Sequence, residues 1–386
     1  MSTRREQHLS PPPQALPTGE TTLAIRPLLR SLAYPDDAAP PLANGQIPAL
    51  AAWLFAHGLG PLAYRRYQKE SPALAAALAG DYYSALAEQT VRSRTLEQVE
   101  EALQEAGIPY ALLKGAALSR SAYRHAVERV MSDVDFWIQA PHMGRAWELL
   151  RERGYRLAGK ESRPLALQQL AQGEIQFISA DGVLVELHWS PFAGWWLQRT
   201  AAIDGAALWS RLEPLDGRGA CQLSAEDTVL HLAVHLGVNH QFALYPLRSL
   251  VDIARTAQTR PVDWEEVARR ARDYRVATVT WCTLDLLQTL IGVDGADRAL
   301  AALRPGALRC RLLARMVNAE RVAALHDRRS GRLRYLLLLL LVDRPRDIAR
   351  LIFRTLWPEA EWLAARYGSR TSRWRHLWNV VRYGQI

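Results

Sequence analysis

Asp133 and Asp135 stand two positions apart inside Ser132-Asp-Val-Asp-Phe-Trp-Ile138, a run that is otherwise mostly apolar. In a β-strand the side chains at i and i+2 leave the same face. A strand here therefore puts both carboxylates together and sends Val134 and Phe136 into the core. Two carboxylates side by side among apolar neighbours are costly unless a cation lies between them. Mg²⁺, or Mn²⁺, is the expected cation, because hard divalent ions take oxygen ligands. Two such ions about 3.5–4 Å apart can neutralise a triphosphate and align attacking and leaving oxygens, but they ask for a third carboxylate. Glu186 is the candidate, since it alternates with Val185 and Leu187 and shares a face with His188. The expected catalytic and metal-binding set is Asp133, Asp135 and Glu186, and Glu186 could also accept a proton from an acceptor hydroxyl. Asp181 is set aside, because a turn before Gly182 explains it.

Lys114 precedes Asp133 by nineteen positions and is followed by Gly115. A Lys-Gly turn before a helix suits phosphate: glycine lets the backbone come close, the helix N-terminus offers free N–H groups, and the lysine adds a point charge. Ser119 and Arg120 follow one turn later, and Arg124, Arg129 and Ser132 lie between this turn and the carboxylates, within reach of a β- or γ-phosphate. His231 and His235, at i and i+4, could chelate a transition metal with His240 or His188, line the cleft, or simply pack. Trp189, Trp195 and Trp196 could stack on a base or an acceptor, or fill the core.

These groups need elements to hold them. Ile108–Leu113 reads as a short strand, Ala116–Tyr123 as the start of a helix, Val134–Gln139 as the next strand, and His142–Arg153 as a helix stopped by Gly154. Glu174–Ser179 and Val183–His188 form a hairpin about Ala180-Asp181-Gly182. Before this section, Leu23–Leu32 reads as a short helix, Pro35–Pro48 as irregular, and Ala49–Tyr67 and Pro72–Glu105 as helical. After Pro191 the chain reads as helices: Ala225–Val238, Pro246–Thr256, Trp264–Tyr274, Val276–Leu290 and several arginine-rich ones beyond. The expected fold class is α+β, a small mixed sheet with flanking helices. Its expected divisions are a largely disordered leader over 1–45, a helical region over 46–106, a core over 107–190 and a helical C-terminal domain over 191–386.

The 386 residues carry a formal net charge of +9, and all but Lys69, Lys114 and Lys160 of the 48 Lys and Arg side chains are arginines. Such a surface favours anionic partners, among them nucleotides, nucleic acids and membranes. Cys221, Cys282 and Cys310 are odd in number and widely spaced, which argues against a disulfide framework and fits a reducing cytoplasm. The first twenty residues lack a signal-peptide pattern, and the longest apolar run, Tyr335–Val342, is far shorter than the roughly 20 residues that span a bilayer.

The segments Tyr110-Ala-Leu-Leu-Lys114-Gly115, Val130-Met-Ser-Asp133-Val-Asp135-Phe136 and Val185-Glu186-Leu187-His188-Trp189 resemble the nucleotidyltransferase superfamily, in particular its branch of uncharacterised bacterial nucleotidyltransferases. So do Ala225–His235 with His240, Leu247–Ile253 and Trp362–Gly368. The resemblance implies transfer of a nucleoside monophosphate from an NTP such as ATP to an acceptor, a small molecule or a peptide, with pyrophosphate leaving. It also implies a nucleotide site that includes Lys114, Gly115, Ser119, Arg129, Ser132, His188, His235 and Arg248, with Tyr245 nearby. The wider superfamily usually has Gly-Ser in the turn, where this chain has Gly115-Ala116. That departure leaves room for a non-catalytic binding module, and the arginine excess for an RNA acceptor such as a tRNA end.

Overall fold

The computed structural model describes residues 21–158, 173–217, 219–325, 329–368 and 372–383. Residues 1–20 of the expected leader lie outside them, and within the rest of it Thr21–Ala33 is helical. The fold is α+β: one seven-stranded mixed sheet with helices against both faces. Its strands are β1 (Tyr110–Leu112), β2 (Asp133–Ile138), β3 (Arg156–Leu157), β4 (Glu174–Ile178), β5 (Leu184–His188), β6 (Glu213–Pro214) and β7 (Cys221–Gln222), in the spatial order β3-β4-β5-β2-β1-β7-β6.

The alternation seen in the sequence decides what each face meets. Val134, Phe136 and Ile138 of β2, Val185 and Leu187 of β5, and Ile175 and Phe177 of β4 form one apolar cluster. Leu96, Val99 and Leu103 from the helix Pro72–Glu105 and Ala146 and Leu150 from the helix Ala140–Glu152 complete it. Trp137, one residue out of phase, joins a second and larger cluster built from the N-terminal helices and those after Pro191. Asp135 and Glu186 share the phase of Trp137, so they face that helical mass.

Local signals set the boundaries. Pro72 opens its helix at the first position, and Gly107, at φ +62°, ends it while the Ile108 N–H donates to the Leu103 carbonyl at 2.8 Å. The β4–β5 hairpin turns through Gly182 at φ +80°, with the Ser179 N–H donating to the Val183 carbonyl. Ser224 caps the helix Ala225–Val234.

Three expectations change. The helix read over Ala49–Tyr67 is two helices, Ile47–Ala56 and Gly60–Tyr67, broken at Gly58, whose φ of +65° reverses the chain. The chain beyond Pro191 is not purely helical: β7 pairs in parallel with β1 and carries β6 on its outer side, so the sheet continues past the hairpin. Strands of two residues are too short to show alternation. Finally, the helix over 225–238 loosens after Val234 into a π-helical turn, His235–Asn239.

Candidate functional site

β2 and β5 run parallel with Asp135 directly opposite Glu186 and Trp137 opposite His188. That register places the Asp135 and Glu186 carboxylates side by side on one face, both buried. β4 runs antiparallel to β5, pairing Gln176 with Glu186 and Glu174 with His188. One patch of sheet thus holds Asp135, Glu186, His188, Gln176 and Glu174.

Lys114 sits at the end of β1, where the chain turns into the helix Lys114–Ser121. Its φ of +47° is a conformation that side-chain-bearing residues rarely adopt. The turn aims the ammonium at the patch: Nζ donates to Asp135 Oδ1 at 2.6 Å and lies 3.7 Å from Glu186 Oε2. His188 Nε2 lies 2.8 Å from the same Asp135 oxygen and 3.4 Å from Glu186 Oε2, and its Nδ1 is 3.6 Å from Glu174 Oε2. Gln176 Nε2 donates to Glu186 Oε1 at 2.5 Å.

Asp135 Oδ2 is left buried with no hydrogen-bond partner among the described residues. A buried carboxylate oxygen without a donor is expensive. Ligand atoms of Asp135, Glu186 and His188 all lie within 4.8 Å of one another, close enough to share an ion. Asp133 is not one of that trio. It stands half-buried one alternation earlier on β2, accepts from Ser132 Oγ at 2.9 Å and acts on Lys114 and Asp135 through its charge.

The electrostatics follow from burial and crowding. Burial pushes the Asp135 carboxyl up, against the pull of Lys114. Glu186 is held below the usual range: burial would raise it, but His188 and Lys114 prevail. Lys114, which burial would discharge, is raised by the surrounding carboxylates. Burial and Lys114 disfavour a charged His188, yet its bonds to Asp135 and Glu186 lift it to about 9. Glu174 goes up, chiefly by burial.

The patch opens on a cleft lined by Lys114, Glu174, His188, Phe192, His231 and His235, among others. His231 and His235, with ring centroids 6.2 Å apart, belong to that lining, and the His240 ring meets that of His235 at 4.3 Å. Burial, then Lys114, lowers all three, His231 to about 3 and His240 to about 4. Arg248 lies 4.4 Å from the Tyr245 ring centroid, and burial together with Arg129 lowers its guanidinium to about 10.

Other expected groups have different company. Arg129 Nε donates to both Asp252 oxygens, at 2.7 and 2.8 Å, and the Tyr123 hydroxyl donates to the same carboxylate at 2.6 Å. Ser119 Oγ donates to the Ala116 carbonyl. Gly115 is buried where an added Cβ would come 2.9 Å from Met131 Cγ, so close packing under the turn explains it. Arg120 bonds Glu100 and Asp216, and Arg124 bonds Asp36. Trp195 lies under Arg199, and Trp196 meets Tyr335, so these rings pack among the C-terminal helices. Asp181 is exposed at the hairpin tip.

Glu174 and Gln176 were missed by the sequence reading. The hairpin gave a signal for both, because a turn centred on Asp181 sets Gln176 and Glu174 beside Glu186 and His188.

The family model described as uncharacterised nucleotidyltransferase matches residues 44–292, well over half of the chain and all seven strands. Comparison with curated proteins and with solved structures returns no match. The chain belongs to the uncharacterised nucleotidyltransferase family.

Proposed function

We propose that the protein transfers a nucleoside monophosphate from an NTP to an acceptor hydroxyl, on a small molecule or a peptide, and releases pyrophosphate. Asp133, Asp135 and Glu186, with His188 beside them, would hold Mg²⁺ or Mn²⁺. The observation that carries this reading is the Asp135–Glu186 register pair, with one buried Asp135 oxygen lacking a partner. The donor set fits the ion: carboxylate oxygens suit Mg²⁺, and an added imidazole suits Mn²⁺. When bound, the ion would neutralise the triphosphate and orient its leaving oxygen.

The protein's own groups supply the rest. Lys114 and the N–H groups that open its helix offer positive potential to phosphate. Arg248, stacked on the Tyr245 ring and bonded to no carboxylate among the described residues, adds a second cation. His235 and His240, kept neutral, would present polar edges without repelling a cation. Glu174 lines the cleft with a raised carboxyl, so it suits the proton of an acceptor hydroxyl better than Glu186, which stays ionised.

Incubation with α-labelled NTP, Mg²⁺ or Mn²⁺ and a panel of acceptors should label one of them and release pyrophosphate. Asp133→Asn should lower that rate at least about 100-fold while the protein stays folded. Glu174→Gln should lower kcat more than NTP affinity. RNA belongs in the panel because of the net charge of +9, and an RNA acceptor would show binding that weakens steeply with salt. Calorimetry that finds no Mg²⁺-dependent NTP binding would overturn the reading in favour of a non-catalytic module.

A further inference from the structure

The C-terminal helix Arg373–Tyr383 is inside out by the usual rule. Its inward face buries His376, whose Nε2 lies 2.9 Å from the Thr355 carbonyl, and Val380. Its outward face, two positions out of phase, carries Trp374 and Trp378, 70% and 61% exposed. Large aromatics normally go inside and ionisable groups outside. Grouped exposure of this kind marks a surface meant to meet something.

The stripe continues onto the neighbouring helix Pro345–Leu356. The Trp374 ring lies 5.1 Å from that of Trp357, and Phe353, four residues before it, is 55% exposed. Arginines bound the stripe at both ends: Arg350 lies one turn before Phe353, and Arg382, four residues after Trp378, lies 5.8 Å from its ring centroid. From Arg344 to Arg382 the sequence holds nine arginines and only three carboxylates, Asp347, Glu359 and Glu361. Two of the three are engaged, Glu359 by Arg199 and Arg354 and Asp347 by Arg275.

We propose that the face formed by Arg350, Phe353, Trp357, Trp374, Trp378 and Arg382 docks on the anionic surface of a lipid bilayer. Tryptophan settles at the headgroup level, where one side of its ring is apolar and the other wet. Arginine adds electrostatic attraction to anionic lipid headgroups. No helix among the described residues is long and apolar enough to cross a membrane, so the contact is peripheral. Single-stranded nucleic acid fits less well. A run of bases needs successive open ring faces to stack on, and of the three tryptophans of the stripe Trp357 and Trp378 have Arg373 and Arg382 against them.

The test uses the full chain and co-sedimentation with vesicles of phosphatidylcholine, with and without phosphatidylglycerol. Binding should appear with the anionic lipid and fall about tenfold or more in Trp374→Ser/Trp378→Ser, with an unchanged thermal unfolding midpoint. Arg350→Gln/Arg382→Gln, which leaves the rings in place, should weaken binding to anionic vesicles and flatten its salt dependence. That variant decides the matter if the tryptophan double variant fails to fold. Equal sedimentation with both vesicle types, or full binding by folded variants, overturns the proposal. So does RNA binding that the tryptophan variant loses while vesicles are ignored.

Discussion

Asp252 shows what a single side chain does beneath the site. Fully buried, it receives the Tyr123 hydroxyl and the Arg129 guanidinium, and so ties the loop before β2 to the helix Pro246–Thr259. Removing one partner of a buried ion pair strands the other. Asp252→Ala should therefore cost about 3–5 kcal/mol in urea unfolding, and a loss below about 1 kcal/mol would mean that the pair contributes little. The sequence marked Arg129 as a phosphate contact, because an arginine between a Gly turn and Asp-x-Asp is ambiguous until its counter-charge is known. That counter-charge is more than a hundred positions away, at a separation which no local pattern reveals. Asp135 and Glu186 were legible for the opposite reason: strand alternation fixes their facing from a few neighbours, and only the strand register had to be supplied.

Long periodic elements were readable and short or irregular ones were not. The helix Pro72–Glu105 and the strands β2, β4 and β5 fall within a residue or two of their expected bounds. β6 and β7 did not show, and neither did the π-helical turn after Val234. Within that turn Gly237 is packed too closely for a side chain: a Cβ there would come 2.2 Å from Val279 Cγ2 and 3.1 Å from the Phe242 ring. Val279 is buried and branched, with little room to rotate. Gly237→Ala should destabilise by about 1–3 kcal/mol through overpacking, read as a lower urea midpoint with unchanged slope. A neutral result would show that the turn can slide away from the helix Ala277–Leu290.

Over the whole molecule, distant parts of the chain close on one another through buried polar contacts. Trp53 Nε1 donates to the Ala323 carbonyl at 2.7 Å, and His57 Nε2 lies 3.0 Å from the same oxygen. Burial pushes the His57 imidazole down to about 4, against that hydrogen bond. An unfolded histidine binds its proton near pH 6.5. Between these values the unfolded chain holds more protons, so this contribution to stability is complete above about pH 6.5 and is lost as pH falls towards 4, on the order of 3 kcal/mol in all. Urea midpoints at about pH 7.5 and about pH 5 should diverge more in the native protein than in His57→Gln, and equal divergence would remove His57 from the account.

The sheet also has a quiet edge. Its outermost strand on one side, β6, is two residues long, and one of them is Pro214, which has no N–H to offer. A peptide seeking to extend the sheet there finds almost no hydrogen-bonding template. Two copies crowded together cannot zip along that border either. Anything that binds this protein from that side must be gripped by its side groups, through shape and charge, and not by main-chain pairing.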